Sequence, residues 1–148
     1  MSIRLGIVGA LVLVTSVLAA AGVALALRAR GPAPVGGGHV VAVQEHDFQI
    51  TLSTHRVPAG ETLFRITNHG PDAHELIVVH DNGHLPLRAD GMTVNEEALT
   101  KQTVGGLEPA RAGAVRDLRV NLPPGRYLLL CNMYGHFMAG MHSELIAQ

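Results

Sequence analysis

The chain has 148 residues, enough for one domain with some length to spare, and a formal net charge of −1. Lys and Arg are scattered, aromatics make up only 3% and Trp is absent, which removes the basic surface and stacking platform of a nucleic-acid binder. Hydrophobic content is nonetheless 47%, and the excess is concentrated at the N-terminus.

Residues Leu5 to Leu27 form an uncharged apolar run, preceded by Arg4 and followed by Arg28 and Arg30. A secretory signal needs roughly 7–15 apolar residues, whereas about 20 span a bilayer. Length and the flanking arginines favour a retained membrane anchor over 1–30; Ala19 and Ala21 leave a cleaved signal as the alternative. Either way the rest of the chain is expected on the extracytoplasmic side, periplasmic or extracellular, tethered in the first case and released in the second. Residues 31–38 are rich in Pro and Gly and read as a linker. The folded domain is expected over 39–148, with 8 basic against 12 acidic residues, large enough to bury a core without disulfides.

Within the domain, residues 47–53 alternate Phe48, Ile50 and Leu52 with Gln49, Thr51 and Ser53, a period of two with one face buried. A Pro-Gly turn leads to a second strand in TLFRITN, and the turn NHGPDA to a third in HELIVVH. Further on, RDLRVNL turns Leu118, Val120 and Leu122 to one face, PPG leads into RYLLLC, and HSELIA closes the chain. Short strands separated by Pro/Gly turns predict an all-β sandwich or small barrel. One segment differs. In 93–102, Thr93 with Glu96 reads as a capping box and Glu97 precedes Lys101 by four, predicting a short helix inside a long 81–113 connection.

The only cysteine, Cys131, ends the RYLLLC strand. An unpaired thiol in an exported protein is open to oxidation or cross-linking. Packing as a small buried hydrophobe explains Cys131 but not its neighbours. His136 and Met141 follow in the same loop, each preceded by a glycine, Gly135 and Gly140, that lets the backbone turn tightly. Thiolate, imidazole and thioether are a soft donor set, and two His, one Cys and a weak axial Met are the donors of blue-copper sites. The second histidine must come from elsewhere. His74, opening a strand after NHGPDA, is the best candidate.

GPDAHEL at 70–76 and PPGRYLLLCNMYGHFMAGM at 123–141 resemble the two copper loops of the cupredoxins. The spacing of four residues between Cys131 and His136, and four between His136 and Met141, is similar to that of the rusticyanin and auracyanin branch. The resemblance implies a Greek-key β-sandwich holding one type 1 copper ion, with His74, Cys131 and His136 equatorial and Met141 axial. It also implies that an exposed ligand histidine passes the electron, here His136 within an apolar collar of Phe137 and Met138. The chain departs from the pattern at Glu75, where many cupredoxins carry an Asn that helps tie the two loops together.

Other residues weigh less. His69 reads as a solvated turn residue rather than an alternative ligand, and His80 and His84 as an exposed loop around Asn82-Gly83. Met133 and Met138 read as packing around the site. The expected function is single-electron transfer between redox partners. The alternative is copper handling, buffering or delivery, which Met92, Met133, Met138 and the surplus histidines would suit. An enzyme is disfavoured. The chain has no His-x-His pair for a trinuclear cluster, no second domain for a nitrite reductase and no second Cys for a binuclear site.

Overall fold

In the computed structural model the structure describes residues 38–148; the expected anchor over 1–30 and residues 31–37 of the linker lie outside it. Two sheets face each other. The first runs β2 (Gln49–Leu52), β1 (His39–His46), β4 (Gly60–Asn68), β7 (Val115–Leu122). The second runs β3 (Arg56–Val57), β9 (His142–Ala147), β8 (Gly125–Leu130), β5 (His74–His80), β6 (Thr103–Ala110). β1 pairs with β4 and β3 with β9 in parallel; the remaining pairs are antiparallel.

Alternating apolar residues fill the space between the sheets. Val41 and Val43 of β1, Phe64 and Ile66 of β4, Leu76 and Val78 of β5, Leu129 of β8 and Leu145 of β9 are buried in one cluster, which Cys131 and Met141 join at one end. β5 is apolar on both faces for a physical reason. Its outer residues Ile77 and Val79 pack with Val94, Leu99 and Leu130 beneath the chain that leaves β5. Burial on both faces turns an alternating pattern into a continuous run.

The expected strands are present, with three corrections. β1 begins at His39, ahead of the first strand expected at 47, and Phe48 is not an inward residue of β2. It sits in the two-residue turn between β1 and β2, at φ 64 and 48% exposed, while Ile50 and Leu52 are buried. The 81–113 connection contains β6, whose Gly105, Gly106 and Pro109 mask a strand pattern. A Cβ on Gly105 would stand 2.6 Å from Val120 Cγ1, so the glycine allows the sheets to close; Pro109 is tolerated because β6 is an edge strand. The helix shrinks to one turn, α1 (Glu96–Leu99), capped by Asn95, whose side chain accepts the Ala98 N–H. Thr93 does not cap it: the helix starts at Glu96, so Asn95 holds the capping position, and the Glu96 carboxylate accepts from Asn132 Nδ2 instead.

Candidate metal centre

One end of the centre is shaped by a buried polar side chain and the other by backbone hydrogen bonds. Asn68, fully buried at the end of β4, donates through Nδ2 to the carbonyls of Asp72 and Ala110, both at 2.9 Å, and accepts the Gly70 N–H at 2.6 Å. These bonds curl 69–73 into a turn that delivers His74 at the first position of β5. Gly70 must be glycine there: its φ is 64, and a Cβ would lie 2.4 Å from that of Ala112. At the other end, the β8–β9 connection closes on itself. The Cys131 N–H donates to the Met141 carbonyl at 3.1 Å and the Met141 N–H to the His136 carbonyl at 3.0 Å. Gly135 at φ 82 and Gly140 at φ 104 make the tight turns this closure needs.

The side chains converge. The ligand atoms of His74, Cys131 and His136 lie within 4.8 Å of one another, and all three residues are buried. Cys131 Sγ is 3.6 Å from His136 Nδ1, the two imidazoles meet edge to face at 5.2 Å, and Met141, whose backbone bonds to both Cys131 and His136, is fully buried in the core cluster that includes Cys131. His74 offers the best test of fit. Its Nδ1 is buried without a hydrogen-bond partner, while Nε2 lies 3.1 Å from Asp47 Oδ1. A buried nitrogen lone pair left unpaired is costly unless a ligand completes it, and a soft N, N, S set suits copper. Burial, and then the charge His136 would carry, push the His74 pKa down against the opposing pull of Asp47 and Asp72, so the ring stays a neutral donor. Burial pushes the Cys131 thiol up, offset in part by backbone hydrogen bonds from Met133 and Glu75.

The other histidines stay outside the cluster. His69 bonds through Nε2 to the Gln44 side chain and stacks on His46 at 4.7 Å. His80 ends β5 and packs edge-on against Tyr127 at 5.3 Å, so only His84 lies in the expected exposed loop. Around His136 the apolar contact comes from Phe48, whose ring stands edge-on at 5.4 Å. Phe137 instead packs with the second cluster and against His142. Met138 is 51% exposed and Tyr134 73%.

A family profile described as the sulfocyanin (SoxE) domain matches residues 49–148. The chain belongs to the sulfocyanin family. Solved structures agree on the fold. Auracyanin from Roseiflexus castenholzii, in its dithionite-reduced form, is similar at 17% identity and a TM-score of 0.54, covering 76% of this chain and 99% of that one. Auracyanin A, a "blue" copper protein from Chloroflexus aurantiacus, gives 16% and 0.55 over 76% and 100%. Rusticyanin from Thiobacillus ferrooxidans gives 14% and 0.55 over 76% and 79%. No curated protein sequence matches the chain significantly. As a sulfocyanin-family cupredoxin the protein holds one type 1 copper and transfers electrons; it is not an enzyme.

Sequence reasoning missed what surrounds the ligands in this family member. Glu75 does tie the loops together: its Oε1 accepts the Asn132 N–H at 3.0 Å, next to Cys131. Asn132 in turn grips the chain leaving β5. Its Oδ1 accepts the Val94 N–H at 2.5 Å, and its Nδ2 donates to the Val94 carbonyl at 3.0 Å and to Glu96 Oε1 at 2.7 Å. Burial and the nearby Glu96 push the Glu75 carboxyl up, with the Asn132 bond opposing them. The signal available in the sequence was an Asn directly after the ligand Cys. Asn132→Ala strands the Val94 N–H and C=O in a buried position at roughly 1–3 kcal/mol each. The urea midpoint of the copper-free protein is expected to fall by the equivalent of about 3 kcal/mol with an unchanged m-value.

Proposed function

We propose that His74, Cys131, His136 and Met141 would hold the copper ion, the first three as its main donors and Met141 as a weak one, in an exported electron carrier tethered to the membrane by residues 5–27 through the 31–38 linker. The observation that carries the ligand assignment is the unpaired, buried Nδ1 of His74, a residue that groups with Cys131 and His136 within 4.8 Å. When bound, copper supplies a one-electron couple, and a donor set between cupric and cuprous preferences keeps the rearrangement on redox small. The residues do the rest. The closed 131–141 loop and the Asn68-shaped turn hold the donors in place. With four protein donors no position is left for a substrate. Phe48, beside the nearly buried His136, gives a redox partner an apolar approach to that ligand.

This favours the carrier over copper handling, since Met133 packs on the core. Among the described residues one group of three or more His, Cys, Asp or Glu side chains could share an ion, and it is this site. The tether rests on the apolar run and its flanking arginines. The test has two parts. Full-length protein titrated with cupric ion is expected to turn intensely blue to green, with fast electron self-exchange in mixed oxidised and reduced samples. On cell fractionation the full chain is expected with the membrane, and a form lacking 1–30 is not. Slow self-exchange with tight cuprous binding would move the reading to copper handling; a soluble product of reduced mass from the full-length gene would make the N-terminus a cleaved signal.

A further inference from the structure

The turn between β1 and β2 touches the centre from a direction that neither copper loop supplies. Asp47 and Phe48 form its two central residues, between the His46–Gln49 pair. Asp47 Oδ1 lies 3.1 Å from His74 Nε2 and also accepts the Asp72 N–H at 3.1 Å. Phe48 follows at φ 64, a left-handed conformation that a bulky side chain adopts only when its surroundings impose it. Its ring edge lies against His136. One strained turn therefore contacts both histidines.

Deepening the copper reading above, and resting on it for the redox part alone, we infer that Asp47 is a positioning residue for His74: its carboxylate selects the Nε2–H tautomer and so leaves Nδ1 free as the metal donor. A neutral imidazole carries one N–H and one lone pair. A proton on Nδ1 would set the Nε2 lone pair against the carboxylate oxygen, two acceptors facing each other. It would also place the N–H at the nitrogen that has no acceptor among the described residues. With the proton on Nε2, the ring donates to Asp47 and presents Nδ1 towards Cys131 and His136. The side chain of His74 is fully buried and that of Asp47 is 23% exposed, so water does not substitute freely for the carboxylate. An anionic acceptor on the distal nitrogen also makes the ligand more basic, which favours the cupric over the cuprous ion.

The bond between a turn aspartate and a ligand histidine is testable with and without metal. In the full-length, copper-free protein labelled with 15N-histidine, His74 is expected to be protonated at Nε2, and Asp47→Ala to convert it to a mixture of tautomers. Asp47→Asn keeps an acceptor oxygen but removes the charge. It is expected to retain the Nε2–H tautomer while cupric ion binds about tenfold more weakly. If cuprous affinity is unchanged, that raises the potential by the 59 mV equivalent to tenfold in a one-electron couple. Should Asp47→Ala fail to fold, the Asp47→Asn potential and the wild-type tautomer still decide. A wild-type His74 protonated at Nδ1, or an Asp47→Asn potential equal to wild type, overturns the inference. A protein that binds no copper yet shows the Nε2–H tautomer and its loss in Asp47→Ala overturns the copper reading and leaves the positioning role standing.

Discussion

Cys131→Ser is expected to abolish the intense visible band of the copper-loaded protein and to weaken cupric binding by orders of magnitude. The band of a type 1 site arises from charge transfer out of the thiolate, so no other donor can reproduce it. Serine keeps the shape but not the chemistry, because its hydroxyl does not ionise at neutral pH and its oxygen is a hard donor. Cys131 is fully buried, so the hydroxyl would also be taken from water with no acceptor assured for its proton. The loop should survive the exchange, since it closes through backbone bonds among Cys131, His136 and Met141 that do not involve the sulfur. A folded but colourless protein, with an unfolding midpoint lowered by the equivalent of about 1–3 kcal/mol, is therefore the expected pair of results. Met141→Leu is the informative contrast: the thioether proposed as the weak fourth donor is replaced by an apolar side chain of similar size, so the band should persist with a shifted potential. A blue Cys131→Ser protein would mean that the chromophore lies elsewhere.

The strands and the four candidate ligands were legible because each had a local signal: period-two burial in β7 and β9, and a lone Cys, a His and a Met set at fixed spacing among glycines. What was hidden depends on contacts between distant segments. β6 could not be seen because Gly105 is dictated by Val120 across the sandwich, and an edge strand need not exclude Pro. The helix is shorter than the sequence suggests because Thr93 and Glu96 fit a capping box by spacing alone. In the fold, the Glu96 carboxylate goes to Asn132 and the cap is Asn95. Phe48 looked like the start of an alternating strand, yet its backbone is left-handed, a state that the residue type argues against. Of the partners that hold His74, Asn68 lies within the NHGPDA turn, but Asp47 and Arg116 lie 27 and 42 residues away in sequence, and no pattern within a window of ordinary length connects them.

Arg116 carries the second large expected effect. Its Nη2 pairs with Glu45 Oε2 at 3.0 Å and donates to the His74 carbonyl at 3.2 Å, while Nη1 donates to the Glu108 carbonyl at 2.6 Å. One side chain from β7 thus joins β1 to β5 and β6 across the two sheets, directly behind His74. Glu45 is fully buried. Burial pushes its carboxyl up to about 7, although Arg116 pulls in the opposite direction. The folded protein therefore holds a proton on Glu45 more tightly than the unfolded chain does. Its contribution to stability is complete at low pH and falls as pH rises from about 4.5 towards 7, with a slope of at most about 1.4 kcal/mol per pH unit. Glu45→Gln is expected to flatten that slope. Arg116→Met leaves a buried carboxylate with no counter-charge and removes the Arg116 donors from the His74 and Glu108 carbonyls, a change that typically costs about 3–5 kcal/mol. The loss should be largest near pH 8 and smaller near pH 5, where Glu45 is neutral in both proteins. Replacing both partners, Glu45→Leu with Arg116→Met, should restore most of the stability, since a buried pair exchanged for apolar side chains is often neutral. Urea unfolding of the copper-free proteins between pH 5 and 8 measures all three. A loss in Arg116→Met that does not vary with pH would mean that the carbonyl bonds, rather than the charge pair, hold the sheets together behind His74.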